Sequence, residues 1–121
     1  MSRSNISVEQ LANALSATKA GTSYSTATRF QGCAGNAALF IVSTAGSITV
    51  SQQCSADGVT YYDPVDTAGS ALGVVRAALT VTTGVYVPFT PVLAPYARFK
   101  IVEGNVAATE VTLNLLFRTE V

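Results

Sequence analysis

Two thiols, seven carboxylates and five tyrosines are the main side chains this 121-residue chain offers to chemistry, and it contains no histidine. Without histidine, neither a Ser-His-Asp nor a Cys-His arrangement can be assembled. Paired carboxylates could still work as in glycosidases. However, most of Glu9, Asp57, Asp63, Asp66, Glu103, Glu110 and Glu120 fall in turn-like sequence, where an Asp typically bonds its own backbone. Asp57, Asp63 and Asp66 lack the alternating oxygen pattern and closing Glu of a calcium loop, so turn formation is the better reading. Cys33 and Cys54 would need two more ligands to hold zinc. They read either as two buried free thiols or as a disulfide between neighbouring strands, the latter suited to a particle released into an oxidising medium. No glycine-rich phosphate loop is present. The expectation is a protein that is not an enzyme and carries no cofactor and no metal.

Residues suited to recognition are better represented. Tyr61 and Tyr62 are adjacent, so on a strand they point to opposite faces, and with Tyr86 and Tyr96 they could form an exposed platform. Such tyrosines pack a core rim, anchor a protein interface or stack a sugar, and the absence of tryptophan weakens the sugar reading. Arg98 and Lys100 share one strand face, opposite Phe99 and Ile101. Leu116 beside Arg118 places a large apolar side chain on an otherwise polar face, where a partner could cover it.

The charge balance narrows the partners. Seven basic and seven acidic residues cancel, and only 12% of residues are charged, about half the usual fraction. That argues against nucleic acid read by a basic face and against a membrane-surface module. Low charge also favours self-association or attachment to another protein. No apolar run is long enough to span a bilayer, and MSRSNISVEQ has no secretory h-region, so synthesis in the cytosol is expected.

These residues need elements to position them. Ser7 and Gln10 fit a capping box, Ile6 and Leu11 a hydrophobic staple, and Val8, Leu11, Ala12 and Leu15 recur at helical spacing before Gly21. The spacing predicts a short helix from Val8 to about Ala20, packed across an open end or edge of the sheet or laid as an arm against another subunit through Val8, Leu11 and Leu15. Beyond Gly21 the period becomes two. Strands are expected over 23–30, 37–43, 48–54, 59–62, 73–79, 80–87, 96–102 and 109–118, with hairpins across Ala45-Gly46 and across Glu103-Gly104-Asn105. Pro88, Pro91 and Pro95 mark an edge or an irregular crossing. Val111, Leu113, Leu115 and Phe117 should face one way, and Thr112, Asn114, Leu116 and Arg118 the other. The predicted fold is all-β: an antiparallel β-sandwich, Ig-like or jelly-roll, of about 7–8 strands with one short N-terminal helix. Residues 1–21 would be an arm and 22–121 a single sandwich domain.

Two segments extend this reading. Ser55-Ala-Asp-Gly-Val-Thr-Tyr-Tyr-Asp63 resembles the S-x-D-G-x-T-W/Y-Y-D hairpin of small β-sandwich proteins, and Ala94-Pro-Tyr-Ala-Arg-Phe-Lys-Ile-Val102 resembles a P-Y-A-R-V-K-V strand near their C-termini. The pattern is similar to that of small structural proteins of tailed bacteriophages, namely capsid decoration (cement) and neck or tail accessory proteins. The resemblance implies a virion subunit that bridges capsomers, with the major capsid or another virion protein as partner and a homo-oligomer, favoured as a trimer, as its form. The candidate interface is then Val8, Leu11, Leu15, Tyr61, Tyr62, Arg98, Lys100, Leu116 and Arg118. The alternatives are a glycan-binding module of a tail, neck or fibre, and a subunit of an extracellular filament.

Overall fold

The computed structural model describes residues 4–29 and 33–120, with side chains described over 6–29 and 36–118. Nine strands form within them: β1 (Ser4–Ala17), β2 (Thr22–Tyr24), β3 (Thr28–Arg29), β4 (Cys33–Ser43), β5 (Ile48–Ser55), β6 (Val74–Leu79), β7 (Thr82–Phe89), β8 (Tyr96–Glu103) and β9 (Thr109–Glu120). They make two antiparallel sheets. Sheet A has the order β1-β9-β4-β7, and sheet B the order β2-β8-β5-β6, with β3 also pairing β8. Leu11, Leu39, Ile41, Leu113 and Leu115 from sheet A meet Ile48, Val50, Phe99 and Ile101 from sheet B in one buried cluster. The expected antiparallel sandwich is therefore present. Alternation in β9 is as the sequence indicates, with Val111, Leu113 and Leu115 fully buried and Phe117 packed against the same core.

The predicted N-terminal helix is not formed. Residues Val8 to Ala17 belong to β1, which pairs antiparallel with β9 from Ser4↔Glu120 to Ala17↔Thr109. The register shifts between Gln10 and Ala12 and again between Ala12 and Leu15, and Ala14 adopts φ 51°. Irregularities of this kind break the period of two. They bring Leu11, Ala12 and Leu15 toward the core at a spacing that imitates a helical stripe, while Val8 remains outside. Ser7 and Gln10 consequently cap nothing: they sit opposite Phe117 and Asn114 in the ladder.

Both expected hairpins are also replaced. The 44–47 link joins β4 in sheet A to β5 in sheet B, and the 104–108 link joins β8 in sheet B to β9 in sheet A. These tight links cross between layers instead of pairing the strands they join. Glu103 is the reason they can turn so closely. Its carboxylate, on a residue only 2% exposed, accepts N–H bonds from Ala20 (2.9 Å), Ser47 (3.1 Å) and Val106 (2.9 Å), one from each of three neighbouring crossings. These donors, with Ala20 the strongest, hold the Glu103 carboxyl down to about 2. Gly46, at φ 69°, lies so close to this centre that a Cβ there would stand 2.6 Å from the Ala107 carbonyl oxygen. At the opposite end, the proline-bearing 90–95 crossing is tied down by buried Gln52. Its Nε2 donates to the Val92 carbonyl and its Oε1 accepts from the Val92 N–H, each at 3.0 Å.

The strand pairs are nested. β1 pairs β9, β2 and β3 pair β8, β4 pairs β7, and β5 pairs β6. The described strands make one long antiparallel ribbon, folded over so that β9 also meets β4 and β8 also meets β5. The tip of the ribbon, between β5 and β6, is an excursion over residues 56–73 that returns along the free part of β5 through mutual bonds between Cys54 and Tyr62.

Candidate interaction surfaces

The outer face of sheet B is built by β8 and by the excursion. Tyr96, Arg98 and Lys100 alternate with the buried Ala97, Phe99 and Ile101, so they point away from the core. Each of the three meets a residue of the excursion. The Tyr96 ring covers Gly58, where a Cβ would stand 3.3 Å from it. Arg98 lies over the Tyr61 ring, and the Lys100 ammonium pairs with Asp63 at 2.9 Å. The two segments on which the phage resemblance rests thus pack against one another.

Arg98 is held on both sides. Its guanidinium carbon is 4.1 Å from the centre of the Tyr24 ring on β2 and 4.4 Å from that of Tyr61, distances at which the ring quadrupole attracts a cation. Its Nε donates to Gln53 Oε1 at 2.8 Å, and Gln53 Nε2 donates to Asp63 Oδ1 at 2.9 Å. The Gln53 and Lys100 bonds hold the Asp63 carboxyl below the usual range. Lys100, Asp63, Gln53 and Arg98 form one relay, with Gln53 buried beneath it. The Tyr61 hydroxyl is buried and has no hydrogen-bond partner among the described residues. Tyr62, on the other side of its strand-like segment, is 67% exposed.

The outer face of sheet A is chemically different. Val8, Leu116, Ala38 and Pro88 lie opposite one another across all four strands. Ile6 and Arg118 pair on one side of this row, and Gln10, Asn114, Phe40 and Tyr86 make the next row on the other. Ile6, Val8 and Tyr86 are well exposed. The Phe40 and Tyr86 rings meet with their centres 4.7 Å apart and their planes tilted by 53°. Gly84 makes this possible, because any Cβ at that position would collide with the Phe40 ring. A shallow open groove of about 240 Å³ runs past Ile6, Ala38, Leu116 and Arg118.

The candidate residues therefore divide between two opposite faces. Tyr61, Arg98 and Lys100 gather on sheet B, and Val8, Leu116 and Arg118 gather on sheet A. Leu11 is 2% exposed and, with the partly buried Leu15, belongs to the core, so these two residues offer a partner little. Tyr24 and Gln53, which complete the Arg98 arrangement, are not singled out by the sequence, and Asp63, which the sequence marks as a turn former, instead pairs with Lys100 and Gln53. Their roles come from lateral pairing between strands distant in the chain, and no local pattern carries that. Asp57 and Asp66 serve turns. Asp57 Oδ1 accepts from Val59 and Thr60 N–H groups, and Asp66 Oδ1 from Ala68 and Ser70. Among the described residues no three metal-ligating side chains cluster. Cys54 is a free, half-buried thiol whose pKa burial pushes up, whereas the Cys33 side chain lies outside the described residues.

No family model matches the chain, and no curated protein matches it. Among solved structures it is similar to the Yersinia pseudotuberculosis-derived mitogen, at 11% identity and a TM-score of 0.45, over 93% of this chain and 86% of that one. A likeness this loose says nothing about activity.

Proposed function

We propose that this chain is a non-enzymatic structural subunit of a bacteriophage virion, a capsid decoration protein that docks on shell protein through the outer face of sheet A. The observation that carries the proposal is the contiguous apolar surface of Ile6, Val8, Ala38, Leu116, Pro88, Phe40 and Tyr86, spread over four strands. A face of this kind is what a partner covers. The nested ribbon, with β2 and β3 counted as one interrupted strand, has the wrapping of an eight-stranded jelly roll, an architecture common among viral capsid and lectin domains. Fold by itself does not assign function. It adds weight here because the two motif segments similar to phage structural proteins are in direct contact on it.

Each copy needs only a modest contact, since a lattice of sites multiplies weak ones, and a closed trimer would limit runaway polymerisation. The test is cosedimentation with phage heads prepared from a stock deleted for this gene. Saturable binding by the native chain, lost in a Val8→Gln/Leu116→Gln double variant, is expected. Heads that bind neither chain, or both equally, would overturn the reading. The glycan alternative has less support, because Arg98 already occupies one face of both the Tyr24 and the Tyr61 rings.

A further inference from the structure

We infer that the outer face of sheet B carries a preorganised carboxylate site centred on Arg98, and that its occupant is an Asp or Glu side chain of a partner protein. The site lies on the face opposite the proposed sheet A contact, and the inference rests on that proposal only in taking the partner to be shell protein.

Three features converge on it. The guanidinium carbon lies within 4.1 Å and 4.4 Å of the centres of two rings, so much of the entropy a free arginine loses on binding has been lost in the fold. Gln53 takes the Nε donor and leaves the two terminal nitrogens, Nη1 and Nη2, without an acceptor among the described residues. Those nitrogens keep contact with solvent, because the only buried unpartnered side-chain polar atom among the described residues is the Tyr61 hydroxyl. The pair of N–H groups at that edge is the fork that matches a carboxylate with two parallel bonds.

The charges around the fork point the same way. Asp63 is the nearby acid, and its two oxygens are engaged by Lys100 and Gln53. Lys100 and Asp63 neutralise each other, while Arg98, like Arg29 over the neighbouring Tyr96 ring, has no ion-pair partner among the described residues. One guanidinium fork held in place suits one carboxylate. It does not suit nucleic acid, whose affinity comes from several phosphates bound at once. Tyrosine and arginine packed together are also the residue types that concentrate binding energy in protein interfaces. A subunit with an apolar docking face on one sheet and an acid-binding fork on the other could bridge two neighbours.

The probe is an N-acetylated tetraglutamate peptide amide, titrated into the ¹⁵N-labelled full chain while the Arg98 side-chain resonances are followed. A saturable shift of the Nη signals is expected, with a tetraglutamine peptide giving none. Arg98→Lys keeps the charge and removes the fork, and should weaken binding by about tenfold. Equal response to tetraglutamine, or undiminished binding by Arg98→Lys, would overturn the site. Inorganic phosphate binding as tightly as the peptide would overturn the carboxylate assignment. None of these readouts uses phage heads, so the site and the sheet A proposal fail independently.

Discussion

The Arg98 guanidinium carbon rests 4.4 Å from the centre of the Tyr61 ring, joining the middle residue of the Ala94–Val102 segment to the third-from-last residue of Ser55–Asp63. The contact fastens the 56–73 excursion to β8 from above, while the Cys54–Tyr62 backbone bonds fasten it from the side. Truncating Tyr61 to Ala should cost about 1–2 kcal/mol, the scale of one partly desolvated cation–π contact. It should also raise amide exchange across 56–63. Tyr61→Phe keeps the ring and removes a buried hydroxyl without a partner among the described residues. That variant should match the native chain or gain about 1 kcal/mol in urea unfolding.

Acid should weaken the fold through Glu103. Its carboxyl is held at about 2 in the folded chain, against an ordinary value of 4.5. Between those two pH values the unfolded state binds more protons than the folded one, so stability rises with pH across the interval. The stabilisation is complete above about pH 4.5 and disappears as the pH falls toward about 2. Melting temperatures from pH 2 to 6 should show this limb, and Glu103→Gln should flatten it. An unchanged limb in Glu103→Gln would assign the acid sensitivity to other carboxyls, such as Asp57 and Asp63.

Gln52 should matter more than a polar residue usually does. Both ends of its amide are spent on Val92, so Gln52→Leu leaves a backbone N–H and C=O without their partner. A loss of about 1–3 kcal/mol is expected. Hydrogen exchange should quicken at Val92 before it does in β4 or β9.

The two faces of β9 should separate stability from attachment. Leu113→Ala opens a hole in the core and should cost about 2–5 kcal/mol. Leu116→Gln, on the opposite face, should change stability by about 0.5 kcal/mol and act on head binding instead. Chemical unfolding and cosedimentation on the same pair of variants distinguish the effects.

Removal of residues 1–17 should unfold the chain. β1 contributes Leu11, Ala12 and Ala17 to the core and covers the edge of β9 along its length. A cooperative melt in the truncated chain would show β1 to be a dispensable arm.

The individual strands were largely legible in the sequence, and their partners were not. Alternation in Val111–Phe117 and the apolar run Leu39–Val42 mark β9 and β4 because side-chain burial repeats locally. The short links at Ala45-Gly46 and Glu103-Asn105 have hairpin length, yet a link of that size can equally step between layers when a buried carboxylate gathers its N–H groups. The bulged β1 reads as a helix in the sequence because two register shifts give its apolar residues a helical spacing. For the candidate surfaces, Arg98, Lys100 and Leu116 could be placed from strand parity alone. The clamp around Arg98 could not, since Tyr24 and Gln53 reach it only through the lateral order of sheet B.

Nested pairing also decides how the molecule bears load. Ser4 lies across from Glu120, so tension applied through the two chain ends would part β1 from β9 like a zip, a few hydrogen bonds at a time. Tension applied between the outer faces of the two sheets has no such starting point and must separate the packed core in one event. In a pulling experiment, handles at the termini should therefore register a low, gradual force, and handles at Leu116 and Arg98 a high, abrupt one. On the proposed function, a subunit gripped by its two faces would meet an expanding shell with the packed core and not with the zip of β1 on β9.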